Sequence, residues 1–118
     1  MFGLVTSHSF LLYRTPCDMR KGFEGLCGLV ESHLQSQPTD GRVYIFINKS
    51  RNKMKLLHWQ DSGFVLYYKR LEIGTFSLPD GDVFSKSIPI SYSDLVLLVS
   101  GISLKNKVQK KRYSLAKN

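Results

Sequence analysis

The sequence predicts an α+β domain: an antiparallel β-meander of four to five strands packed against one long and one short helix. Two observations carry this. Between Arg42 and Pro79, short runs rich in β-branched and aromatic residues alternate with turn formers. On either side of that block, apolar residues recur at helical spacing.

The runs are Arg42–Ile47, Lys53–Trp59, Gly63–Leu71 and Gly74–Leu78. Asn48, Ser50 and Asn52 fill the first gap, Asp61, Ser62 and Gly63 the second, and Gly74 the third. Opposing Asn48 to Lys53 and Trp59 to Phe64 sets a register for two hairpins. Strand side chains alternate, so this register sorts every residue onto one of two faces. One face collects Val43, Ile45, Ile47, Met54, Leu56, His58, Val65, Tyr67, Lys69 and Leu71, and reads as the core surface. The other collects Arg42, Lys53, Lys55 and Arg70 with Tyr44, Phe46, Leu57, Trp59, Phe64, Leu66 and Tyr68. Basic heads among rings suit stacking on bases or tracking phosphates. They equally suit lysine and arginine stems lying over rings with their charges in water.

Ahead of this block, His8–Tyr13 reads as a short strand ended by Pro16. Asp18 suits a helix N-cap. Met19, Phe23, Leu26, Cys27, Val30 and Leu34 then form one apolar helical face running to Gln35. Gly22, Gly25 and Gly28 inside that helix each cost about 1 kcal/mol relative to Ala. Close approach of another backbone is the expected reason. Arg20 and Lys21 in the first turn oppose the helix dipole. After the sheet, Asp80-Gly81-Asp82 is a turn, and Val83–Pro89 is a polar connection or short edge strand. Ser91 and Asp94 cap a short buried helix that Gly101 ends. Lys105, Lys107, Lys110, Lys111, Arg112 and Lys117 form an acid-free basic tail. The chain therefore divides into a domain over 1–104 and a mobile tail over 105–118.

The 118 residues suit one domain, and 42% hydrophobic content suits a real core. Net charge is +8 and the sequence pI is about 9.7, which favours a polyanionic partner. No apolar run approaches the roughly 20 residues of a membrane span, and the first residues carry no basic leader. Two cysteines, Cys17 and Cys27, are too few for a disulfide framework and read as reduced thiols. A cytoplasmic location follows.

Catalytic chemistry needs a constellation, and the residues offer none. Asp18, Asp40, Asp61, Asp80, Asp82 and Asp94 fall at turns or caps. Glu72 follows Lys69-Arg70 and pairs with one of them. Pro79-Asp80 opens like a metal-dependent nuclease motif, but no acid-x-Lys element follows. His8, His33 and His58 lack ligand spacing to each other or to the cysteines. No phosphate loop or nucleophile elbow is present. The expectation is a protein without enzymatic activity, cofactor, metal or small-molecule substrate.

Several motifs occur together and in order. They are Asp18-Met19-Arg20-Lys21-Gly22-Phe23-Glu24-Gly25-Leu26, then Lys55-Leu56-Leu57-His58-Trp59, then Gly63 to Phe76 around Tyr68-Lys69-Arg70-Leu71-Glu72-Ile73-Gly74. Over Tyr13 to Ser103 the chain resembles the TnpB-type accessory protein. That protein is encoded by the second reading frame of a large family of bacterial insertion sequences. Leu95, Leu98, Gly101 and Ile102 resemble the family's terminal helix. Two positions depart from the pattern: Ser77-Leu78-Pro79 replaces the common Trp-Pro, and Ser100 replaces an acid. The resemblance implies a role in DNA transposition beside a separate transposase that carries the catalytic acids.

The combined reading is a non-catalytic accessory protein of insertion-sequence transposition. Its expected partners are DNA and, in a further role, the transposase of the same element. The candidate nucleic-acid contacts are Arg20, Lys21, Arg51, Lys53, Lys55, Trp59, Tyr68, Lys69, Arg70, Lys110, Lys111 and Arg112. The alternatives are an adaptor that binds the transposase without touching DNA, and a metal-dependent nuclease.

Overall fold

The computed structural model describes residues 3–5, 7–81 and 84–101. The basic tail, with Lys110, Lys111 and Arg112, lies outside them. The elements are β1 (Phe10–Tyr13), α1 (Phe23–Ser32), β2 (Val43–Ile47), β3 (Lys53–Gln60), β4 (Gly63–Arg70), β5 (Ser87–Ile90) and α2 (Tyr92–Val99). One five-stranded sheet has the order β4-β3-β2-β1-β5.

The β2-β3-β4 meander has the register read from the sequence. Ile47 opposes Met54, Asn48 N–H donates to the Lys53 carbonyl, and Trp59 opposes Phe64. Asn48 builds the first turn. Its Oδ1 accepts from the N–H groups of Asn52 and Lys53, and its Nδ2 donates to Asn52 Oδ1. Asp61 and Ser62 make the second, both at positive φ (50° and 65°). This matches the mirror-image turn geometry that two-residue hairpins favour.

The sheet is mixed rather than purely antiparallel. β1 pairs parallel with β2, Phe10 opposite Val43, and antiparallel with β5, Phe10 opposite Ile90. A parallel neighbour needs a crossover, and α1 supplies it between β1 and β2. The Gly74–Leu78 run is not a strand. It crosses beneath the sheet, where Phe76 N–H donates to the Arg51 carbonyl and the ring is buried.

The long helix is shorter than expected. It begins at Phe23 with Gly22 as N-cap, and ends at Ser32. Asp18 does not cap it. Its carboxylate instead accepts from the Arg20 N–H and grips the Arg20 guanidinium at 2.7 Å. Arg20 and Lys21 thus precede the helix rather than lying in its first turn. No backbone approaches Gly22 or Gly28: a Cβ at either would meet nothing within 4 Å. At Gly25 it would meet Lys21 Cβ at 3.0 Å.

The helices lie on opposite faces of the sheet. Val43, Ile45, Ile47, Met54 and Leu56 pack with Leu95, Leu98 and Val99 of α2 and with Phe76. Tyr44, Phe46 and Leu57 pack with Leu26 and Val30 of α1. The aliphatic face therefore receives the short helix. The face expected to carry an open basic-aromatic surface receives the long one. All five residues of β2 are buried, as a strand between two layers must be. α2 starts as its capping signal predicts, with Ser91 Oγ accepting from the Asp94 N–H at 3.1 Å, and Gly101 follows it at φ 75°.

Candidate nucleic-acid interface

What α1 leaves uncovered is the end of the sheet near the β2–β3 turn. There Lys53 lies directly opposite Arg70, and Lys55 directly opposite Tyr68. Directly opposed side chains share a face with Cβ atoms about 5 Å apart. Lys53 and Arg70 thus form a cationic pair beside the exposed Tyr68 ring. An open depression of about 450 Å³ adjoins it, lined by Arg20, Lys49, Lys53, Tyr68, Asp18 and Asn48 among others. A neighbouring hollow continues it along Lys53, Tyr68, Arg70 and Glu72.

Two arginines here carry ion pairs. Arg20 holds Asp18 at 2.7 Å, and Arg70 holds Glu72 at 2.9 Å, with all four side chains substantially exposed. The Asp18 carboxyl is held down to about 2 by hydrogen bonds from the Arg20 side chain and backbone. Exposed pairs of this kind contribute little to stability, so either guanidinium can turn to a competing phosphate.

The structure sorts the sequence-derived candidates. Arg20, Lys53, Tyr68 and Arg70 come together, whereas Lys21, next in the chain before α1, lays its side-chain stem against Gly25 of that helix. Lys49 joins them, and sequence reasoning missed it. Its signal was its place in the hairpin turn, next to the start of the strand that carries Lys53.

Lys55 is a correction. It is only 6% exposed, and its Nζ donates to the Met19 and Lys21 carbonyls at 2.8 and 2.7 Å. Its ammonium also sits 4.6 Å from the Tyr68 ring centroid. It fastens the Met19–Lys21 segment to the sheet and presents no charge to solvent.

Lys69 points to the other face, where Nζ donates to the Val99 carbonyl at 2.6 Å. Trp59 stacks edge-on against Phe64, with ring centroids 4.8 Å apart. It lies six strand residues from Lys53, roughly 20 Å along β3. Arg51 occupies the hairpin turn at φ 58° and lines a separate hollow of about 360 Å³ with Arg14, Asp80 and Leu78.

His58 is a packed strand residue. It is buried, its Nδ1 has no hydrogen-bond partner, and its ring lies 4.7 Å from that of His8. Burial pushes its pKa down, the nearby His8 adds to this, and a hydrogen bond with the Gly41 backbone opposes it. Cys17 and Cys27 are free thiols, both with pKa values raised chiefly by burial. Among the described residues, no group of three or more His, Cys, Asp or Glu could hold a metal ion. Nor is any of their helices long and apolar enough to cross a membrane.

The profile of the family described as "IS66 Orf2 like protein" matches residues 8–109. Two proteins of Sinorhizobium fredii (strain NBRC 101917 / NGR234) are similar to this chain. The uncharacterized protein y4jC is 33% identical over 102 residues, 86% of each chain. The uncharacterized protein y4hO is 35% identical over 85 residues, 72% of each. No solved structure matches. The chain belongs to the IS66 Orf2-like family of insertion-sequence accessory proteins.

Proposed function

We propose that this chain is a non-catalytic, DNA-binding accessory subunit of insertion-sequence transposition. Its contact surface is the cluster of Lys53, Arg70, Arg20 and Lys49 around Tyr68. The observation that carries the reading is the convergence of these cations from three separate segments onto one open end of the sheet. A net charge of +8 supports it. The ligand class follows from what α1 covers. Tyr44, Phe46 and Leu57 are buried under it, so the face offers one exposed ring and several cations. That suits phosphates of duplex DNA better than a run of unstacked bases.

The test is duplex binding by fluorescence anisotropy across a salt series, using the element's own terminal repeats and random DNA. Lys53→Gln with Arg70→Gln is expected to weaken binding to both. The log K against log salt slope should fall by about 0.9 for each phosphate contact removed. Lys69→Gln, on the opposite face, is expected to leave the slope unchanged. Equal losses from both variants, or from neither, would overturn the assignment. Loss from neither would also favour an adaptor that contacts only the transposase.

A further inference from the structure

The two edges of the sheet are built differently. β5 is four residues long and carries Pro89, a common way of blunting an edge. β4 is eight residues long, has no proline, and pairs with β3 without a bulge from Gly63 to Arg70. Among the described residues, no element pairs with its outer side. The direction of its backbone groups follows from the ladder. Leu71 N–H donates inward to the Asn52 carbonyl. Alternation then turns the N–H and C=O groups of Phe64, Leu66, Tyr68 and Arg70 outward. Three of these four are aromatic or aliphatic.

We infer that β4 is a homodimer edge, pairing antiparallel with β4 of a second copy around a two-fold axis at Tyr67. The strand is self-complementary in this register. Phe64 of one copy opposes Arg70 of the other, Leu66 opposes Tyr68, and Val65 opposes Lys69. No like charges are apposed, and a cation meets an aromatic ring. The four outward residues exchange about eight hydrogen bonds between the copies. Each strand's basic end lies against the other's apolar end. The two Arg70 side chains therefore stand about 20 Å apart along the seam, well beyond the screening length of about 8 Å at physiological salt. This separation lets chains of high net charge associate. The product is one ten-stranded sheet with both α1 helices on the same face, because opposed side chains share a face in an antiparallel pair.

The experiment is sedimentation of the full chain without DNA, so its outcome is independent of the DNA-binding reading. The chain is expected to sediment at the mass of two copies at micromolar concentration. Leu66→Pro removes an outward N–H and leaves the β3 ladder intact, and is expected to give single chains with an unchanged circular dichroism spectrum. Phe64→Lys sets a lysine against the second copy's Arg70 and is expected to raise the dissociation constant at least tenfold. Adding Arg70→Glu to it should restore the dimer. Tyr67→Cys places two thiols on the axis, where opposed Cα atoms about 4.5 Å apart lie within disulfide range. It is expected to cross-link under mild oxidation, whereas Val65→Cys is not. Single chains at several hundred micromolar would overturn the proposal and leave the edge for a strand of another protein. Cross-linking at Val65→Cys but not at Tyr67→Cys would overturn it as well.

Discussion

Lys55 and Lys53 are two residues apart on one strand face, and their surroundings give them different work. Lys55 is buried with its ammonium on two carbonyls. Removing it leaves those acceptors short of a donor, and bonds to a charged group are worth about 1.5–3 kcal/mol each. Lys55→Met is expected to lower the unfolding free energy by about 2–4 kcal/mol in urea titrations. Lys53→Gln, at the surface, should stay within about 0.5 kcal/mol. His58 gives a pH signature. Its folded pKa lies below the ordinary 6.5. Below pH 6.5 the unfolded chain binds the proton that the folded chain refuses. Stability is therefore complete above that value and declines as pH falls through it toward the folded pKa. His58→Leu is expected to flatten this part of the stability curve, measured by thermal melts between pH 5 and 7.5.

The helices differ in how their ends and interiors are supported. The last turn of α2 receives the Lys69 ammonium on the Val99 carbonyl. A cation there satisfies an orphan acceptor and complements the helix dipole. Lys69→Met is expected to destabilise by about 1.5 kcal/mol. In α1, Gly28 is exposed with open space around its Cβ position, whereas Gly25 sits against Lys21. Gly28→Ala should stabilise by about 0.5–1 kcal/mol, whereas Gly25→Ala, crowded against Lys21 Cβ, should give no such gain. Chemical denaturation of the two variants distinguishes them. These elements also show what the sequence made legible. The hairpin registers were readable because turn residues and alternation agree on them. The Ser91 cap was readable because Ser-x-x-Asp is a local signal. The start of α1 was not, since Asp18 satisfies Arg20 and its own local backbone in competition with a helix cap.

At the scale of the molecule, the sequence reading missed the second layer. Val43-Tyr44-Ile45-Phe46-Ile47 is an unbroken apolar run, the pattern of a strand buried on both faces. Reading it as half-exposed produced the open basic-aromatic surface that α1 in fact covers. The helix between two strands was likewise a sign of a parallel pair. The candidate site was legible in residue type, because the cations were in plain view. Membership was legible for Lys69, which the register sends to the other face, but not for Lys55 and Lys49, which burial and turn geometry decide.

The pairing of β1 between β2 and β5 also bears on how the chain is made. Phe10 must find Val43 on one side and Ile90 on the other. The meander β2-β3-β4 contains only neighbouring contacts and can close as soon as it is synthesised. β1 is the first of the five strands to be made, and its second neighbour, β5, is the last. At about 5–20 residues per second, the interval is on the order of ten seconds. From the formation of β2 until β5 is made, Phe10-Leu11-Leu12-Tyr13 has one edge without its native neighbour. Nascent chains stalled before Ser87 are therefore the form most prone to aggregation and to capture by chaperones.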